Sequence, residues 1–129
     1  MITDCNDKHM KRMTEPFEWY FNYQTLKPFI LKYCKEKDSL TLYVGGGSST
    51  IPFELNDDGY KRVTTIDYCD SAMELMRRKN LNPDLEFLTM DAKNTNFPSW
   101  YFDYILDKAC FESEYVGFIL VLFMNYYLI

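Results

Sequence analysis

The sequence predicts an α/β fold with a doubly wound parallel sheet, and three observations predict it. Short apolar or β-branched runs alternate with stretches whose apolar residues recur at helical spacing. Each run closes at its carboxyl side on glycine or aspartate. The order strand–helix–strand–helix–strand–loop–strand calls for crossovers, and a crossover joins parallel strands.

Residues 1–14 are polar and without period, which predicts a flexible arm. Aromatics crowd the next stretch (Phe17, Trp19, Tyr20, Phe21, Tyr23), and Leu26, Phe29, Ile30 and Tyr33 follow at helical spacing. Thr25 is the expected cap of that helix, with Pro28 in the first turn, where a missing N–H costs little. Leu40 to Val44 reads as a buried strand stopping at Gly45-Gly46-Gly47. Ser48 and Ser49 can cap the next helix, which runs to about Leu55 and ends in the turn chemistry of Asn56-Asp57-Asp58-Gly59. Arg62 to Ile66 is a second strand, ending at Asp67. Asp70 or Ser71 caps a helix from about Ala72 to Lys79, with Ala72, Leu75 and Met76 on its inner face. Leu85 to Met90 ends at Asp91, and Phe102 to Leu106 ends at Asp107.

The chain has 129 residues, enough for one domain, and its 47% apolar content supports a packed core. A net charge of −5 argues against a nucleic-acid surface, which needs a basic stripe. Arg77-Arg78-Lys79 is the one tight basic cluster, and it suits the last turn of a helix. Cys5, Cys34, Cys69 and Cys110 are scattered, and His9 is the only histidine, so no metal site is expected. Four free thiols and a cytoplasmic location are the default. Val116 to Ile129 is almost wholly apolar but shorter than the ~20 residues that span a bilayer.

In open parallel sheets ligands bind beyond the carboxyl ends of the strands. Gly45, Gly47, Asp67, Asp91 and Asp107 should therefore share one rim. Glycines admit a ligand close to the backbone, and a carboxylate about 20 residues on accepts from ribose hydroxyls. A dinucleotide site favours a third glycine, but position 50 is Thr and Pro52 follows. S-adenosylmethionine carries no phosphate and needs only the ribose carboxylate and an adenine pocket. Asp91 can accept from the adenine amino group, and the Ala92 N–H can donate to a ring nitrogen. Plainer roles stand beside these: Asp67 as a strand-end cap, Asp91 as a turn former, Trp19 as core, Asp107 and Lys108 as a surface pair.

Three runs carry a family likeness. LTLYVGGGSSTIPFEL, VTTIDYCDSAMELM and LTMDAKNTNFPSWYFDYILDKA resemble the Rossmann-like, seven-strand class of S-adenosylmethionine methyltransferases. More narrowly, they resemble the methyltransferase-like protein lysine methyltransferases of the endothelin-converting-enzyme-associated and elongation-factor-1-alpha-modifying type. EPFEWYFNY matches the aromatic lead-in segment of that branch, and the likeness covers about Glu15 to Ala109. It implies S-adenosylmethionine as cofactor and a protein lysine as acceptor. It further implies Trp19 against the methionine moiety, Gly45 and Gly47 along the cofactor and Asp67 on the ribose. Tyr68 would lie beside the adenine, Asp91 and Ala92 at its edge, and Lys108 near the amino-acid end. Asp107 is the candidate to hold or deprotonate the incoming amine.

The family places a YW…RY-type segment ahead of the lead-in, where this chain has only His9-Met10-Lys11-Arg12-Met13. Beyond Glu114 it departs again, so residues 15–115 read as a partial cofactor-binding domain and 116–129 as an atypical tail that could add a strand or helix to the sheet. With the later strands missing, the fourth strand would expose an edge, and a homodimer is expected there. The alternative to an enzyme is a truncated, non-catalytic module that binds cofactor or dimerises. An NAD-binding oxidoreductase fragment is disfavoured by the absent third glycine.

Overall fold

The computed structural model describes residues 22–108 and 119–123. The first described element is helix α1, Tyr23–Tyr33. It starts before the expected Thr25 because the Asn22 side chain accepts from the Thr25 N–H at 3.0 Å and caps the turn. Pro28 therefore falls inside the helix rather than in its first turn. It is tolerated because it and Gln24, whose carbonyl loses a donor, both face solvent. Tyr23, Leu26 and Ile30, at 2%, 1% and 3% exposure, form the buried stripe.

Strand β1, Leu40–Val44, leads through the glycine turn to helix α2, Ile51–Asp57. Thr50 caps this helix by position, without a side-chain cap bond. Strand β2 is Arg62–Asp67, helix α3 is Asp70–Lys79, and strand β3 is Leu85–Thr89. The cap of α3 is Cys69, so Asp70 lies in the first turn instead of before it, where a carboxylate suits the helix dipole. Met73 is buried on the inner face along with Ala72 and Met76, and Leu75 lies at its margin. Strand β4 spans Tyr104–Lys108, later than expected, so Asp107 is within the strand and not after it.

These four strands run parallel in the order β3-β2-β1-β4. Strand β5, Ile119–Phe123, pairs antiparallel with β4 over its whole length. The apolar tail thus contributes a strand, and it covers the β4 edge on which a homodimer was expected. That ground for dimerisation is removed by a partner within the same chain.

Side chains alternate between the two faces of the sheet. One face carries Tyr43, Val63, Leu85, Phe87, Tyr104 and Leu106, joined by the buried residues of all three described helices. The other carries Leu42, Val44 and Ile66, packed with Phe97 and Phe102 from the 90–103 connection. Of the two helical layers of a doubly wound sheet, the described residues supply one. Cys34 is a free buried thiol whose pKa burial pushes up to about 12. Cys69 is disulfide-bonded, which corrects the expectation of free thiols at that position. Among the described residues no helix is long and apolar enough to cross a membrane.

The end of the sheet opposite the glycine turn is tied by polar bonds. Tyr23 donates to Asp58 Oδ2 at 2.5 Å, Lys27 adds an ion pair at 3.2 Å, and Lys37 Nζ reaches the Asp58 carbonyl. Asp103 closes the start of β1, accepting the Leu40 N–H at 2.9 Å and returning its own to Leu40 O at 2.8 Å. The Tyr23 hydroxyl, followed by Lys27, holds the Asp58 carboxyl below the usual range. A depressed folded-state pKa contributes stability above the unfolded value, and this is lost as pH falls through the folded value. Tyr23→Phe keeps the buried ring and is expected to lose about 1 kcal/mol in urea unfolding at pH 7. That deficit should shrink on acidification through the Asp58 transition.

Candidate functional site

The carboxyl ends of β1 to β4 meet at one rim, and the register places the acidic residues there. Asp67 closes β2 opposite Thr89, and Asp107 pairs with Val44, the residue before the glycine turn. The Met90 N–H bonds the Asp67 carbonyl at 2.9 Å, which brings Asp91 to the same rim. Thr89 Oγ1 donates to Asp70 Oδ1 at 2.6 Å, and Arg77 bonds Asp70 and the Phe87 carbonyl. The end of β3 is thereby fastened to α3.

The glycine turn is drawn onto the end of β2. Gly45 and Gly46 donate to Ile66 O at 2.8 and 3.3 Å. Gly45 and Gly47 have φ of 68° and 51°, in the left-handed region that favours glycine. Gly46 is constrained differently: a Cβ there would sit 2.3 Å from Thr65 Cγ2. The sequence assigns roles to Gly45 and Gly47 and leaves Gly46 as a free position. Only the neighbour across the strands reveals that it is not.

Gly47 and Asp67 are brought into direct contact. The Gly47 N–H donates to Asp67 Oδ2 at 3.0 Å, and the Cys69 N–H donates to Oδ1 at 2.8 Å. A carboxylate can accept about four bonds, so both oxygens retain capacity for a diol. Burial raises the Asp67 pKa, and the two N–H donors oppose that shift. The carboxylate is therefore half-buried and held at both oxygens.

The start of α2 offers no phosphate cradle. The Ile51 N–H is spent on Ser49 Oγ at 3.1 Å, Pro52 has none, and the Phe53 and Glu54 N–H groups go to Thr50 O. A pyrophosphate would find its usual donors occupied. A nucleoside without phosphate needs none of them, and the donor set fits that class.

The other expected contacts are less closely knit. Tyr68 follows Asp67 directly and is 41% exposed. Asp91 and Ala92 are exposed, and Asp91 Oδ1 accepts the Lys93 N–H at 2.9 Å in a local turn. Asp107 is 5% exposed. The Lys108 backbone belongs to β4, and Trp19 lies outside the described residues. Sequence reasoning missed Gly46 and the Cys69 N–H, whereas Ser49, one of the two serines expected at the start of α2, does accept that helix's first N–H. Among the described residues no cluster of side chains could hold a metal.

A sequence profile described as a methyltransferase domain matches residues 42–115. The chain belongs to this family. The zebrafish (Danio rerio) eEF1A lysine and N-terminal methyltransferase is 37% identical over 105 residues, covering 80% of this chain and 15% of that protein. The Bos taurus EEF1A lysine methyltransferase 4 is 28% identical over 79% of this chain and 40% of its own length. Among solved structures, the PH0226 protein of Pyrococcus horikoshii aligns with a TM-score of 0.57 and 27% identity over 64% of this chain and 39% of its own. A methyltransferase solved with the Haloferax volcanii Trm112 activator aligns with a TM-score of 0.59 at 22% identity, over 78% of this chain and 41% of that one. This methyltransferase domain thus spans 15% of the length of the zebrafish relative.

Gly46→Ala is expected to destabilise the domain by about 2 kcal/mol through overpacking against Thr65. Adding Thr65→Ser removes the clashing methyl and should recover part of the loss, read as the denaturation midpoints of the single and double variants.

Proposed function

We propose that the rim binds S-adenosylmethionine and that the chain takes part in methyl transfer to a lysine amine of a protein. The observation that carries the cofactor is the Asp67 carboxylate, held by Gly47 and Cys69 beside a helix start whose donors are spent. Membership of the methyltransferase family supports the chemistry, and the names of the eEF1A lysine methyltransferases support the acceptor class.

In this reading Asp67 accepts from the ribose hydroxyls, and Gly45 and Gly47 let the backbone lie against the ligand. Tyr68 offers a ring face, and Asp91 with the Ala92 N–H reads the adenine edge. Trp19 and Lys108 belong to the methionine side, on the strength of the family likeness alone. The bound cofactor supplies a methyl group already activated by its sulfonium. The protein's part is orientation and exclusion of water. Asp107, beside the glycine turn by register, orients the acceptor amine and draws off its proton, since the neutral amine is the nucleophile.

Calorimetric titration should show saturable binding of S-adenosylmethionine and S-adenosylhomocysteine, none of NAD, and a loss of at least about tenfold in Asp67→Ala. Binding of NAD, or wild-type affinity in Asp67→Ala, would overturn the cofactor assignment. The ionised carboxylate is the form that accepts from a diol, and its pKa is raised by burial. Affinity should therefore fall on acidification, starting above the ordinary aspartate value of about 3.9. Asp107→Asn should keep cofactor affinity within about twofold while lowering methyl transfer at least about 100-fold, in line with a general base. Unchanged transfer would remove Asp107 from the mechanism.

A further inference from the structure

The carboxyl end of β1 carries a side chain that the cofactor reading does not use. Tyr43 is 1% exposed and lies beneath the glycine turn: a Cβ at Gly46 would stand 3.4 Å from Cδ2 and 3.5 Å from Cε2 of its ring. Its hydroxyl donates to Ser49 Oγ at 3.2 Å. The same oxygen accepts the Ile51 N–H at 3.1 Å, and the Ser49 N–H returns to Gly46 O at 3.0 Å. Ring, serine and helix start thus close a loop around the turn. Gly47 lies inside that loop, and its N–H is the donor that reaches Asp67.

Packing alone does not account for a tyrosine here. Phenylalanine would fill the same apolar space, and a buried hydroxyl costs free energy unless it is bonded. Ser49 gives the hydroxyl its bond, and Ser49 is itself 3% exposed. The pair takes over the task that a tighter, third-glycine turn would perform. It fixes the path of residues 45–49 by side-chain bonds instead of by backbone freedom.

We propose that Tyr43 is a positioning residue for the cofactor site, holding the 45–49 turn through Ser49 so that the Gly47 N–H and the Asp67 carboxylate keep the geometry a nucleoside diol joins. This rests on the reading of the rim as a nucleoside cofactor site. A turn already fixed needs no ordering when ligand arrives, so the loss on removing the hydroxyl falls on affinity more than on stability.

The test uses the full chain with Tyr43→Phe, Ser49→Ala and the double variant. Three quantities are measured: hydrogen exchange at the Gly47 amide without ligand, the Kd for S-adenosylhomocysteine, and the melting temperature. Tyr43→Phe should speed exchange at Gly47 while leaving the amides of β2 and β3 unchanged. Its Kd should rise about fivefold, the size of one neutral hydrogen bond, with melting little altered. The double variant should bind no more weakly than the weaker single one. Unchanged exchange at Gly47 would overturn the proposal, as would faster exchange with wild-type Kd. Faster exchange throughout β1 and β2 would overturn it too, by showing a loosened core. If the wild-type chain bound no S-adenosylhomocysteine, the cofactor reading and the positioning role would fall together. The exchange at Gly47 would still report, separately, whether the tyrosine holds the turn.

Discussion

The bond between the Gly47 amide and the Asp67 carboxylate joins two segments twenty residues apart in sequence, and the rest of the rim is arranged around it. It forms only if the turn after β1 folds back onto the end of β2. That fold-back in turn requires two left-handed glycines and a third position with no side chain at all. The carboxylate is thereby taken partly out of water, which raises its pKa, and two backbone donors offset the cost of keeping it charged. A half-buried, pre-oriented acceptor is what a ribose diol needs.

The two ends of the sheet are built on different chemistry. At the far end, long side chains tie α1 and the start of β1 to their neighbours: Tyr23 and Lys27 to Asp58, Tyr60 to the Cys34 carbonyl, Asp103 to Leu40. At the rim, the bonds that shape the turn come largely from backbone amides and from short or buried side chains. Long, flexible groups would intrude on a ligand lying there. Division of stability to one end and binding to the other is the usual economy of parallel α/β sheets.

Much of this was legible in the residues. The four parallel strands, the helices between them and the rim of glycine and aspartate follow from β-rich runs, helical periodicity and the terminal residue of each run. Boundaries shifted where a cap overrode the pattern: Asn22 began α1 early, and Cys69 began α3 ahead of the serine and aspartate expected to do so. The role of Gly46 was hidden because the clash that forbids a side chain comes from Thr65, a residue brought near only by parallel pairing. The pairing of β5 with β4 was open for a like reason. An apolar run signals burial but does not name the edge or direction in which it pairs.

A nucleoside bound at this rim lies across the Gly47–Asp67 bond. Backbone amide shifts followed by NMR during titration with S-adenosylhomocysteine test it most directly. Gly47, Tyr68, Cys69 and Ala92 should shift together along one saturable curve while Leu26, Ile30 and Tyr60 stay still. Shifts confined to the far end of the sheet, or none in a folded chain, would contradict it.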